Sequence, residues 1–236
     1  MSKKPLNRLE IREVVYNAKR WTLLEEYRRK AMVIMEALET VHLETAVYGS
    51  IARGDVTKDS DIDVFIPNVS SSFTVDLALE KAGIALQRRW IMQATPTYAV
   101  KAYMEIDEAT SVSFPLMKMR KVEREFYKFG GEISLSELRQ ALRKAGVDKR
   151  LMFIEPTTKG HLESAVIGQE ARVAKVLGIA RETVRDRIRV LLRRDKVGRT
   201  GVFVKKELST EETFETDLDK LLKQNPAVRR RLFSLS

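Results

Sequence analysis

The chain has 236 residues, a formal net charge of +10 and no cysteine. Disulfides, thiolate metal sites and a cysteine nucleophile are therefore excluded, and the basic balance favours an anionic partner, either nucleic acid or a nucleotide. No run approaches the ~18 apolar residues of a membrane span, and the charged Met1–Lys4 start leads into no signal-peptide core, so a cytoplasmic protein is expected. Only His42 and His161 could serve a histidine-based site, and they lie far apart in sequence.

Residues 21–39 carry Leu24, Tyr27, Ala31, Ile34, Met35 and Leu38 at three- and four-residue steps, which predicts an amphipathic helix. Ala46-Val47-Tyr48 reads as a short strand ending in the turn Gly49-Ser50. Ten residues later Asp61-Ile62-Asp63 opens an apolar strand, Val64-Phe65-Ile66. Side chains alternate along a strand, so Asp61 and Asp63 share one face and Ile62 points away. Two hard oxygen ligands with no His or Cys beside them suit Mg²⁺ or Mn²⁺. Gly49 permits close backbone approach to a phosphate, and the Ser50 hydroxyl can donate to it.

These residues carry a family resemblance. Residues 47–66, with Gly49-Ser50, Ala52-Arg53-Gly54 and Ser60-Asp61-Ile62-Asp63, resemble the signature of the DNA polymerase β-like nucleotidyltransferases. Its minimal members are the nearer likeness and the archaeal CCA-adding enzymes a looser one. The resemblance implies an α+β fold whose palm is a mixed sheet with helices on one face. It implies transfer of NMP from an NTP to an acceptor hydroxyl, with Asp61 and Asp63 on the metal. Gly49, Ser50, Arg53 and Lys58 would then serve the nucleotide. A third carboxylate on a later strand is also implied. The matching stretch, Ser111-Val112-Ser113-Phe114-Pro115, places Ser113 at that position. Either Glu105 or Asp107 stands in for it, or neither does.

Beyond the motif, Ser72–Ala82 reads as a short helix stopped by Gly83. Residues 84–94, 97–107 and 110–118 read as an antiparallel meander. The basic, aromatic segment 118–131 has two readings: cations near a triphosphate or RNA, or a helix with Val122, Phe126 and Phe129 inward. A helix over 135–145, a strand at 151–154 and a polar turn at 155–161 holding His161 follow.

From Ile167 the pattern changes. Glu170–Leu177, a turn at Gly178-Ile179 and Arg181–Arg194 resemble a helix-turn-helix. Lys196-Val197, the turn 198–201 and Val202–Val204 complete it as a winged domain with a β-hairpin. Between Arg181 and Lys206, ten Lys or Arg stand against Glu182, Asp186 and Asp195. Arg181, Arg185 and Arg189 step along one face, with Arg199 at the wing tip, to hold RNA or DNA phosphates. Thr183 is the main base-reading candidate.

The expected organisation is a palm over 1–131, a connecting helix and strand over 132–166, a winged helix-turn-helix over 167–208 and a tail over 209–236. That tail reads as one docked helix with Arg229–Arg231 as a solvated end. The rival expectation is a regulator that senses nucleotide with a weakened palm and binds DNA.

Overall fold

The computed structural model describes residues 11–198, 201–209 and 211–234. In chain order these form β1 (Arg12–Val15), α1 (Ala18–Glu39), β2 (Ala46–Tyr48), α2 (Ser50–Arg53), β3 (Ile62–Phe65), α3 (Ser72–Lys81), β4 (Arg88–Gln93), β5 (Lys101–Asp107), β6 (Thr110–Pro115) and α4 (Lys121–Gly130). They continue as β7 (Glu132–Ser134), α5 (Leu135–Arg139), β8 (Gly146–Val147), β9 (Met152–Thr157), β10 (Gly160–Ala165), α6 (Glu170–Leu177), α7 (Arg181–Val197), β11 (Val204–Glu207), α8 (Phe214–Gln224) and α9 (Pro226–Phe233). Residues 11–30, 47–60 and 124–198 belong to one unit, while 31–46, 61–123 and the described residues from 201 onward belong to a second.

In the first unit an antiparallel sheet runs β1-β10-β9-β8. Thr157 pairs with Gly160, so β9 and β10 are a hairpin closed by Thr158 and Lys159. The segment expected as a polar turn at 155–161 is therefore mostly strand, and His161 is 3% exposed within it. Its Nδ1 shares a 2.6 Å hydrogen bond with the Tyr16 hydroxyl. This bond is only available because β1 pairs with β10, a long-range contact that periodicity does not reveal.

The α6–α7 pair joins the same core. Val173, Ala174, Ile179 and Val184 cluster with Phe129, Val147, Leu151, Phe153 and Val166. Gly178 ends α6 in the left-handed conformation, as the breaker at that position predicts. Ala180 is a poor cap for α7. Glu125 of α4 takes over that role, accepting from the Ala180 amide at 3.1 Å and from the Thr183 hydroxyl. Thr183 is thus 3% exposed and engaged inside the protein, which corrects its expected role as a base reader.

Among the described residues the expected hairpin of the wing is not formed. Lys196 and Val197 are the last residues of α7, and Val204–Glu207 pairs antiparallel with β4. Strand pairing there satisfies a sheet edge, which a two-stranded ribbon on its own leaves open. Arg199 lies outside the described residues.

In the second unit the strands run β11-β4-β5-β6-β3, all antiparallel except the parallel β6–β3 pair. The expected meander is present with shorter strands than its apolar stretches suggest. Alternation makes one face apolar: Ile62, Val64, Ile91, Ala102, Met104, Val112 and Phe114 are all buried. Val75, Ala78 and Leu79 of α3, with Ala31, Ile34, Met35 and Leu38 of α1, supply the buried helical share.

The tail forms two helices, because Asn225 and Pro226 end α8 and start α9. Phe214 packs edge-on against Phe114 at 5.6 Å. Arg231, expected in solvent, is 4% exposed. It donates to the carbonyls of Thr97 and Lys118 and to Glu123 at 2.8–2.9 Å. Its neighbours Arg229 and Arg230 are exposed, so only one of the three arginines left the surface.

Candidate nucleotidyl-transfer site

The turn after β2 begins at Gly49, whose φ of 77° and ψ of −142° leave the usual L-residue regions. A Cβ there would meet no atom within 4 Å, so the backbone conformation alone requires glycine. Gly49 donates its amide to the Gly131 carbonyl at 2.9 Å, and α2 then runs from Ser50 to Arg53. Gly54 ends α2 at φ 93°. The side chain of Arg143 occupies the space a Cβ would need there, at 2.5 Å.

Two arginines support this turn from inside the first unit. Arg28 of α1 donates to the Ile51 carbonyl from Nε at 3.1 Å and from Nη2 at 3.0 Å. It also reaches Ala52 at 3.2 Å and Leu142 at 2.7 Å. Burial, and then the charge of Arg143, pulls its pKa down to about 10, so it remains cationic at neutral pH. Arg53 is 5% exposed. Its Nε and Nη2 form a fork with Asp55 at 3.0 Å each, and Nη1 donates to the carbonyls of Gly130 and Val147. The guanidinium expected at the nucleotide phosphates is thus committed to protein partners.

Ser50 donates its hydroxyl to Ser60 at 3.0 Å, and Ser60 accepts from the Thr57 amide at 3.0 Å. These bonds tie both ends of the ten-residue spacer together. Tyr27 anchors the Lys58 carbonyl at 3.1 Å, while Lys58 itself is exposed.

In the second unit Asp61, expected on the strand, lies one residue before β3 and is exposed, while Asp63 is the second residue of β3 and half-buried. The parallel register sets Asp63 beside Ser111 and Phe65 beside Ser113. The Ser111 hydroxyl donates to Asp63 Oδ1 at 2.9 Å. The position adjoining the acidic strand is therefore Ser111, two residues before the one the motif comparison suggests. Ser113 is 2% exposed and lies in the row of Phe65 and Tyr103.

Glu105 pairs with Ser111 on β5, so Asp63, Ser111, Glu105 and Arg88 share one row across the sheet. Two strand spacings, about 10 Å, separate the backbones of Glu105 and Asp63. Asp107 lies past an irregularity in β5 and accepts from the Ala109 amide at 3.0 Å, shaping the β5–β6 turn. Among the described residues no three His, Cys, Asp or Glu side chains converge as a metal cluster. Asp61 and Asp63 offer hard carboxylate oxygens, a donor set that fits a small divalent cation. Tyr103, in the next row, is pushed up to about 12 by burial and then by the Asp63 charge.

On α7, Arg181, Arg185 and Arg189 are exposed. Arg189 lies 3.8 Å from Asp186, and Arg181 and Arg185 help hold the Glu170 carboxyl below its usual range, after the amides of Gly168 and Glu170 itself. Arg187, between them in sequence, is 9% exposed and stacks over Phe126 at 4.8 Å. The basic segment 121–130 is a helix. Tyr127 and Phe129 are buried within it, and Arg124 pairs with Glu132. Its cations follow the structural reading of that segment.

Arg28 was missed by sequence reasoning. It sits within the expected helix, and nothing local distinguishes it from its neighbour Arg29, which is exposed.

Residues 29–128 match the family model of the nucleotidyltransferase domain. The match contains the Gly49-Ser50 turn and both aspartates. It supports the nucleotidyltransferase superfamily and nucleotidyl transfer as the class of chemistry. No curated protein and no solved structure matches the chain. No helix among the described residues is long and apolar enough to cross a membrane.

Proposed function

We propose that the protein is a metal-dependent nucleotidyltransferase that moves NMP from an NTP to an acceptor hydroxyl carried by a nucleic acid. The observation that carries this reading is the acidic edge of β3. Asp61 is open to solvent, and Asp63 is oriented by the Ser111 hydroxyl, inside the stretch that matches the nucleotidyltransferase model. Asp61 and Asp63 would hold Mg²⁺ or Mn²⁺, which supplies Lewis-acid charge for the transferred phosphoryl group. Gly49 gives the NTP phosphates close approach and Ser50 serves them through its backbone amide, since the Ser50 hydroxyl is given to Ser60, with the exposed Lys58 as the remaining cation. Arg53 acts by holding the turn in shape.

The acceptor oxygen bonds to the α-phosphorus as the bond from that phosphorus to the pyrophosphate oxygen breaks. The hydroxyl proton leaves to solvent. Catalysis rests on positioning and electrostatics, because phosphoryl transfer asks for little covalent chemistry from the protein. Arg181, Arg185 and Arg189 contact nucleic-acid backbone without selecting sequence, since Thr183 is buried away from any base.

The test is incorporation of labelled NTP into mixed single-stranded RNA and DNA with Mg²⁺ or Mn²⁺. Asp63→Asn is expected to lower the rate by about 100-fold or more. One observation favours a second reading, a nucleotide sensor without turnover: the place beside Asp63 holds a serine hydroxyl where a third acid would serve the metal. Saturable NTP binding with no incorporation on any acceptor would decide for the sensor.

A further inference from the structure

The face of the second unit's sheet that carries Asp63 does not end at the acids. Two residues further along the strands, the next row across the sheet is Phe65, Ser113, Tyr103 and Trp90, and it ends at Glu207 on the edge strand β11. The row after that is Pro115, Lys101, Met92 and Lys205. On the opposite face Ala102 and Met104 of β5 and Thr110, Val112 and Phe114 of β6 are buried. On the Asp63 face Phe65 and Ser113 are buried, whereas Lys101, Tyr103, Trp90 and Met92 are half-buried and Lys205 is exposed. The Lys205 ammonium stands 4.1 Å from the Trp90 ring centre. The Trp90 Nε1 is buried with no hydrogen-bond partner, an indole donor left unsatisfied.

Lys101 adds a thermodynamic clue. Burial pulls its ammonium down to about 8 even though Glu123 opposes the shift, so at neutral pH the charge is retained at a cost to folding. Aromatic rings flanked by lysines, beside acids suited to a metal, match what a single strand of nucleic acid requires. Bases stack on rings of any sequence, and ammonium groups follow the phosphates.

Resting on the reading of Asp61 and Asp63 given above, we propose that Tyr103 and Trp90, with Lys101 and Lys205, form the platform for the single-stranded end of the acceptor. The terminal hydroxyl lies at Asp63. The preceding bases stack across β5 and β4, and their phosphates meet the lysines. From β3 to β4 is three strand spacings, about 14 Å, so the platform takes more than one nucleotide. This extent favours a strand over a mononucleotide. Glu105 lies in the row of Asp63 and faces Arg88 in the register. Glu207 closes the Trp90 row at the sheet edge, so neither acid lies in the row of Lys101 and Lys205.

Trp21 and Trp90 are the only tryptophans, which makes the test direct. Trp21→Phe leaves Trp90 as the sole indole reporter, and its emission is followed during titration with a short single-stranded oligonucleotide at low salt. Saturable quenching is expected, weakened about tenfold by Lys205→Gln and by Tyr103→Leu, and relieved by added salt. NTP alone at the same phosphate concentration is expected to leave the emission unchanged. Absence of saturable quenching by the oligonucleotide overturns the proposal, and so does equal quenching by NTP alone, which would make the face a pocket for the incoming nucleotide.

Asp63→Asn is expected to keep the quenching while losing incorporation, so a failure of the platform and a failure of the transferase reading give different results. Trp90→Phe provides a second route that needs no reporter. It should raise KM for the oligonucleotide about tenfold and leave KM for NTP unchanged; a rise in the NTP value alone overturns the proposal.

Discussion

The turn segment 49–60 and the acidic edge that follows it are built by opposite means. The turn is held by Arg28 on three carbonyls, by Arg53 on Asp55 and two more carbonyls, and by the Ser50–Ser60 bond across its ends. The edge leaves Asp61 exposed and orients Asp63 through the Ser111 hydroxyl. On the proposed reading, a turn that receives phosphate has its amides fixed before the ligand arrives, so its supporting charges face inward. On the same reading, carboxylates that receive a cation gain from remaining near water until the ion replaces it. Of the two basic side chains in this segment, Arg53 braces the loop from inside and Lys58 stays in solvent.

That contrast can be broken at its stiff side first. Arg28→Met removes the donors to buried carbonyls and is expected to cost about 3 kcal/mol, read from the urea midpoint, because acceptors left without partners inside the protein are expensive. A loss under ~1 kcal/mol would show that the turn does not depend on this brace.

The open side is sharpened next. Ser111→Asp installs an acid in register with Asp63. Mn²⁺ affinity measured by calorimetry is expected to rise on the order of tenfold, as changes close to a metal typically shift it by that much. Unchanged affinity would mean that the metal is not held along this row.

Gly49→Ala tests the turn by conformation alone, since space is open and φ is 77°. It is expected to cost about 2 kcal/mol of stability, with a rise in KM for NTP larger than any change in kcat.

The smallest effect expected is a pH slope within the first unit. Burial holds native His161 below its ordinary pKa, against the opposing pull of Asp55 and Glu163. The unfolded chain takes up that proton near pH 6.5 while the native protein resists, so stability is full above about 6.5 and declines as the pH falls below it. His161→Gln should flatten the urea midpoint between pH 7 and 5.5. Tyr16 works at the other end. Burial pushes it up to about 12, so its contribution is present below pH ~10 and lost as the pH rises towards 12.

Much of the architecture was legible locally. The helix of α1, the Gly-Ser turn, the strand bearing Asp63, the three-strand meander and the break at Gly178 each follow from side-chain period or a special backbone residue, whereas Asp61 precedes the strand expected to carry it. The wing was misread because Val202–Val204 has strand character, and strand character does not name a partner. Val204–Glu207 found β4. Arg53 and Arg231 were misread for a related reason. A guanidinium has the same local sequence signal whether it faces a phosphate, a solvent shell or a buried carbonyl.

By itself, then, the amino-acid order determined the motif: a glycine where φ must be positive, a hydroxyl beside it, and two acids separated by one residue where a strand begins. These depend on bonds and torsions within a few residues. Which serine adjoins Asp63, which arginine braces the turn, and which aromatic rings continue the acidic face were decided only by the tertiary structure. Each depends on strand register and on partners distant in the chain, and only folding brings those together.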